Sequence, residues 1–199
     1  MEIPNNSESI LDRAIDFAKQ AHYGIKRKAC NLPYIVHPLE VMSIAASMTE
    51  DTDVLTAALL HDVAEDTEHT LQEIYEMFGE KVGDLVSSET EDKMGHVDPS
   101  ETWLRRKEMS LEVLSTSPDI NVKILWLSDK LSNLRSFYIN YQKRGEDLWN
   151  SFNQKDPKMH HWYHTRVAEL TSELSHTFAW KEYTYLIKKL FEDDKDGEH

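Results

Sequence analysis

Cysteine is nearly absent: Cys30 is alone in a chain of 199 residues, so no internal disulfide can form, and a single thiol fits a reducing compartment. Cys30 itself reads as a small loop residue. Glycine and proline are scarce, six of each, which disfavours architectures built from many strands and tight turns. No apolar run approaches the roughly 20 residues that a membrane-spanning helix needs. The opening residues, MEIPNNSESI, lack the basic and apolar regions of a secretory signal, so a cytoplasmic location is expected. Positive charge is also in deficit, with 22 Lys and Arg against 36 Asp and Glu and a formal net charge of −14. Nucleic acids and anionic membranes both require a positive field, so neither is an expected partner. Any anionic ligand must be drawn by local features. The tail FEDDKDGEH reads as a solvated acidic end.

What is present is organised around Leu55–Asp66, LTAALLHDVAED, an apolar run ending abruptly in His61, Asp62, Glu65 and Asp66. On one continuous helix His61 and Glu65 are i and i+4, as are Asp62 and Asp66, so these polar groups gather at the end of an apolar rod. Two readings fit. The stretch is either a frayed acidic helix end in water or a site whose negative charge is met by a divalent metal. Acidic residues at a helix C-terminus are electrostatically unfavourable, so a counter-charge is needed in either case.

Helical patterning continues along the chain. Ser9 precedes ILDRAIDFAKQAH, with Ile10, Ala14, Phe17, Ala18 and Ala21 on one face and His22 at its end as a packing or hydrogen-bonding residue. The loop YGIKRKACNLPYIVHP carries consecutive Lys26, Arg27 and Lys28. Pro38 then suits the first position of a second helix running to Met48, which leaves His37 at its N-terminus. Thr52 or Asp53 is expected to cap the third helix, and Thr70 with Glu73 forms a capping box for a short fourth that ends at Gly79. A fifth is expected over Glu80–Thr90. EDKMGHVDPS reads as a mobile loop and candidate lid, followed by a helix over Trp103–Leu114 on which Arg105, Arg106 and Lys107 form a solvated face. After Pro118 a long helix carries Asp129 among Ile124, Leu127, Leu131 and Leu134, where a carboxylate needs a partner. DLWNSF is expected to be helical, Asp156 and Pro157 begin a helix reaching about His176, and a last helix spans Trp180–Phe191. With no strand alternation and no repeat, the fold class is all-α, expected as one domain over 1–199 with its motif-bearing core at about 9–175.

His37, the pair His61 and Asp62, and Asp129 are metal-type residues from separate segments. Two imidazoles with two carboxylates suit a borderline-to-hard ion such as Mn²⁺, provided the segments meet. YIVHP, ALLHDVAEDT and LSDKLSNLR, in this order, resemble the successive signatures of the HD-domain hydrolases of the RelA/SpoT-homologue group, especially the stand-alone small alarmone hydrolases of the metazoan-SpoT-homologue type. The likeness extends from about residue 9 to residue 175. It implies a compact helical HD bundle, with metal ligands at His37, His61, Asp62 and Asp129 and a catalytic acidic pair at Glu65 and Asp66. It also implies a nucleotide-contacting loop at Arg27 and Lys28, with Tyr34 in the same motif, and guanosine-pocket positions at Asn133 and Ser136.

The activity implied is metal-dependent release of pyrophosphate from the ribose 3′ position of ppGpp or pppGpp, a stringent-response reaction. The synthetase half of the long relatives is not in this sequence, so hydrolysis alone is implied. The expected partner is a small nucleotide, and an oligomer is compatible with the sequence. Competing readings are an HD-fold phosphohydrolase of another nucleotide, either an NADPH 2′-phosphatase or a nucleoside monophosphatase, and a binding module without turnover. The segment Lys93–Arg106 is longer than in the compact members and puts Trp103 where a basic substrate contact is expected, with Lys93 and Arg106 as nearby cations. His160, His161 and His164 form a second cluster. His160 and His164 are spaced to pair on zinc but lack a third ligand, which favours a surface or substrate-edge role, with Lys155 and Lys158 beside them. His69 is the one nearby candidate for the extra bridging histidine of a two-metal HD site.

Overall fold

The computed structural model describes residues 9–28, 30–91, 95 and 97–192. Those residues form ten α-helices: α1 (Ile10–Ala21), α2 (Val36–Ala45), α3 (Thr52–Leu60), α4 (Val63–Asp66), α5 (Leu71–Phe78), α6 (Glu80–Glu89), α7 (Pro99–Thr116), α8 (Ile120–Arg144), α9 (Pro157–Leu170) and α10 (Phe178–Phe191). Short 3-10 turns cover Gly145–Ser151 and Ser172–Leu174. No strand occurs among the described residues, and an isolated bridge between Lys26 and Pro33 closes the loop joining α1 to α2. The all-α expectation holds.

Local chemistry accounts for most helix ends. Ser9 with Asp12 and Thr70 with Glu73 make reciprocal capping boxes at α1 and α5. Asp98, Asp119, Asp156 and Thr177 each accept from a backbone N–H at the start of α7, α8, α9 and α10. Gly79, at φ 92°, allows α5 to turn directly into α6 in a conformation that side chains disfavour.

Several boundaries differ from those expected. α2 starts at Val36, which places Pro38 in the third helical position, where its missing N–H still costs no intrahelical bond. Asp51, not Thr52 or Asp53, caps α3 by accepting from Asp53 N at 3.0 Å. α7 begins at Pro99, so Pro99 and Ser100 are helical. Residues 92–94 and 96 of the proposed lid lie outside the described residues, as do 1–8 and 193–199. DLWNSF lies in the 3-10 segment and its exit, α9 stops at Leu170, and α10 begins two residues before Trp180.

α8 is the axis of the bundle, packed against α2, α3, α6, α9 and α10. Leu125, Leu127, Leu131 and Leu134 on α8 are completely buried, as are Leu59 and Leu60 on α3. Each contributes about 1.5–3 kcal/mol of burial energy. Because α8 is enclosed on most sides, its polar residues cannot all face water. Lys123, Asp129, Lys130 and Ser132 are buried with the apolar ones.

Gly83 marks the close approach of α6 to α5. A β-carbon there would overlap the ring of Tyr75, whose hydroxyl is tied to Asp84 Oδ1 at 2.7 Å. Gly83→Ala is expected to destabilise the protein by about 1–3 kcal/mol through overpacking. Denaturant titration checks this, with Tyr75→Ala Gly83→Ala expected to cost less than the sum of the single changes.

Candidate metal centre and adjoining cavity

The central stretch is not one helix. α3 ends at Leu60 and α4 begins at Val63, with His61 and Asp62 in a turn between them. Both residues keep right-handed helical backbone angles, and His61 Nε2 lies 3.0 Å from Asp62 Oδ2. α2 brings His37 Nε2 to 3.3 Å from the same oxygen, and α8 brings Asp129 Oδ1 to 3.0 Å from His37 Nε2. The two Nε2 atoms are 3.3 Å apart. Ligand atoms of His37, His61 and Asp129 all lie within 4.8 Å of one another, a cluster able to hold a metal ion.

The donor set fits a divalent cation. His61 Nδ1 lies 2.9 Å from Ala58 O, and since a carbonyl only accepts, Nδ1 carries a hydrogen, so in the neutral ring the Nε2 lone pair faces the cluster. With neutral imidazoles the two carboxylates leave a local charge that a divalent ion balances. Burial alone would lower the His61 pKa, but Asp62 and the hydrogen bonds to both aspartates hold it well above its usual value. Asp62 and Asp129 are held well below the usual carboxylate range despite burial, Asp62 chiefly by His61 and Asp129 chiefly by Lys130. The geometry demands positive charge at its centre. Lys130 also bonds Glu89 Oε1 at 2.9 Å and takes the other Asp129 oxygen, while Asn133 Nδ2 donates to Asp129 Oδ1 at 2.8 Å.

Two acids stand beside the cluster. The Tyr34 hydroxyl is shared between Asp62 Oδ2 at 2.6 Å and Asp66 Oδ2 at 3.2 Å. Burial first, then the Asp62 and Asp66 charges, raise the phenol pKa, so it remains a donor. Glu65 is pushed up to about 7 by burial and then by Asp62, Glu91 and Asp66. Its Oε2 accepts from Glu91 N at 3.2 Å. The Glu91 carboxylate in turn accepts from Arg106 at 2.9 Å, Lys107 at 2.7 Å and Ser110 at 2.8 Å. Arg106 and Lys107 are therefore not the solvated face expected of them, although Arg105 is exposed.

Against this cluster opens a cavity of about 430 Å³. Lys26, Arg27, Lys28, Tyr34 and Asp66 line one part, and Trp103, Phe137, Phe152, His160, Tyr163 and His164 another, with Lys107, Lys130, Asn133 and Ser136 also in its wall. Arg27, Lys28, Tyr34, Asn133 and Ser136, separated in sequence, thus meet in one space. Arg27 Nη2 reaches Asn133 Oδ1 at 3.2 Å.

His160 and His164 do not form a surface or zinc pair. Both are buried, His160 against Gln154 O at 2.9 Å and His164 against Tyr183 OH at 2.8 Å, and burial lowers the pKa of each. They belong to the cavity wall, whereas His161 stacks on Phe191. Lys155 and Lys158 are exposed and do not line the cavity. His69 packs against Phe17 with the two rings tilted and faces Glu73, outside the metal cluster. Lys93 lies outside the described residues. His22 packs on Tyr34, ring centroids 4.7 Å apart, as a packing role requires. Sequence reasoning missed Lys107, Lys130, Phe137, Phe152 and Tyr163, because helical spacing does not distinguish a cavity wall from a core.

The elevated Glu65 pKa has a consequence for metal-free protein. Ionised Glu65 opposes folding, so its favourable contribution is complete below the unfolded value near 4.5 and is lost as pH rises through about 7. Metal-free Glu65→Gln is expected to exceed the native chain in stability by about 1–3 kcal/mol at pH 8. Chelator-treated denaturation series should show that gap closing towards pH 4.5.

A family profile described as HD domain matches residues 14–156. A guanosine-3′,5′-bis(diphosphate) 3′-pyrophosphohydrolase of Aquifex aeolicus is 40% identical over 146 residues, covering 73% of this chain and 20% of its own length. A GTP pyrophosphokinase rsh of Brucella ovis is 37% identical over 134 residues, covering 67% of this chain and 18% of its own. The chain therefore spans about a fifth of these curated relatives. A solved protein of Listeria monocytogenes EGD-e is 32% identical, with a TM-score of 0.67 over 78% of this chain and 98% of that one. A structure described as a metazoan ortholog of SpoT that hydrolyses ppGpp is 24% identical and shares the fold, with a TM-score of 0.72 over 95% and 97% of the two chains. Matched through α1 to α8 and carrying its histidines and aspartates at one point, the chain belongs to the HD domain family, with relatives in the RelA/SpoT group.

Proposed function

We propose that this chain is a metal-dependent hydrolase of guanosine 3′-diphosphate alarmones such as ppGpp and pppGpp, using Mn²⁺ held by His37, His61, Asp62 and Asp129. The observation that carries the reading is that Tyr34, Lys130 and Asn133, which bond Asp62 and Asp129 of that cluster, also line a cavity bordered by Arg27 and Lys28 and by an aromatic wall. The similarity to the Aquifex pyrophosphohydrolase supports the substrate class. A divalent ion would lower the pKa of a water and polarise a phosphate oxygen.

The protein's own groups supply the rest. Arg27 and Lys28 bind phosphate oxygens, and the planar guanidinium can also stack on a base. Asn133 and Ser136 offer polar contacts to the nucleoside beside the aromatic wall. Glu65, with a pKa near neutrality, takes the proton of the attacking water, as general-base catalysis requires. Asp66 and Tyr34 orient that water. Water adds to the proximal phosphorus, the bond from phosphorus to O3′ breaks, O3′ receives a proton and pyrophosphate departs. The 5′-phosphates are untouched, so ppGpp gives GDP and pppGpp gives GTP. The lone Cys30 fits a cytoplasmic setting for this chemistry.

With Mn²⁺ added, purified protein should release pyrophosphate from ppGpp. A substrate panel that instead yields orthophosphate from NADPH or a nucleoside monophosphate would replace this reading with another nucleotide phosphohydrolase. Nucleotide binding without turnover in any metal would make the chain a binding module. Asp62→Ala is expected to lose stoichiometric manganese. Glu65→Ala should retain metal and lose turnover by roughly 10²- to 10⁴-fold, and full activity in that variant would remove Glu65 from the mechanism.

A further inference from the structure

His37 can ligate a cation through Nε2 only if its ring hydrogen resides on Nδ1. That nitrogen faces Ser132 Oγ at 2.9 Å, and a hydroxyl can either donate or accept. Were Ser132 the donor, the His37 hydrogen would move to Nε2 and point into the cluster. His61 has no such ambiguity, because its Nδ1 partner is a backbone carbonyl.

The next residue in the chain of bonds decides the matter. Ser132 Oγ donates to Glu40 Oε2 at 2.7 Å. A carboxylate has no hydrogen to return, so the single Ser132 hydrogen is committed and its oxygen must accept from His37 Nδ1–H. Glu40 is held in turn by Arg135, whose Nη1 reaches Oε1 at 3.2 Å. Glu182 on α10 grips the same guanidinium, at 2.7 Å on Nε and 2.6 Å on Nη2. Ser132 is fully buried, whereas the side chains of Glu40 and Arg135 are each 33% exposed. The ion pair therefore matters less for its own energy than for the direction it imposes on one hydroxyl.

We infer that Glu40 is a positioning residue: acting through Ser132 and oriented by Arg135 and Glu182, it fixes the His37 tautomer that a metal ion requires. This rests on the metal-centre reading above. Without Glu40 the hydroxyl is free to turn towards Nδ1, and the competing tautomer leaves Nε2 unable to ligate.

The test reads metal affinity rather than turnover. Chelator competition with Zn²⁺ and Mn²⁺ should show Glu40→Ala and Ser132→Ala each weakening binding by roughly 10- to 100-fold, with Ser132→Thr close to native. If Glu40 acts through the hydroxyl, Glu40→Ala Ser132→Ala binds no more weakly than Ser132→Ala alone. Glu40→Gln, whose side-chain oxygen can still accept from Ser132, should restore most of the affinity lost in Glu40→Ala, a rescue that loss of packing alone would not produce. Additive losses in the double variant, unchanged affinity in Glu40→Ala, or a Glu40→Gln variant as weak as Glu40→Ala would each overturn the inference. Native protein that binds no divalent ion would overturn the metal-centre reading first, and so separates the two failures.

Discussion

Two carboxylates and two imidazoles are forced to share one small volume at the middle of a helical bundle, and much of the architecture answers that constraint. Removing a carboxylate from water costs several kcal/mol unless opposite charge and hydrogen bonds replace the solvent. Tyr34 meets Asp62, Lys130 and Asn133 meet Asp129, and both Nδ1 atoms are engaged behind their rings. A divalent ion held there would supply the remaining charge.

The cavity resolves an apparent conflict in the composition. A chain with a formal charge of −14 would repel a polyphosphate at long range. Near the site the balance differs. Lys26, Arg27 and Lys28 line the cavity, beside Lys107 and Lys130, whose charges are met by Glu91 and by Glu89 and Asp129. Glu91 accepts from Lys107, while its backbone N–H bonds Glu65, so one residue links a cation of the wall to an acid of the proposed mechanism. Trp103, read from sequence as occupying a basic contact position, is part of the aromatic wall.

The helical class, most caps and the metal-type residues were legible in the sequence because each depends on local signals: Ser9 with Asp12, Asp156 with Pro157, and an apolar run ending in His61 and Asp62. The break after Leu60 was not legible. Nothing in LTAALLHDVAED marks a turn, and the convergence of its polar end depends on α2 and α8. Arg106 and Lys107 looked like a solvated face because their partner, Glu91, lies in a preceding loop. His160 and His164 read as a surface or substrate-edge pair because i and i+4 spacing is the same on a cavity wall as on a surface. Glu40 gave no sequence signal, since its importance arises from Ser132 and Arg135 on another helix.

Anomalous diffraction from native crystals soaked in manganese tests the central claim most directly. The account predicts one peak at coordinating distance, about 2.0–2.2 Å, from His37 Nε2, His61 Nε2 and oxygens of Asp62 and Asp129. A peak elsewhere, or an empty centre with those side chains turned apart, would contradict it.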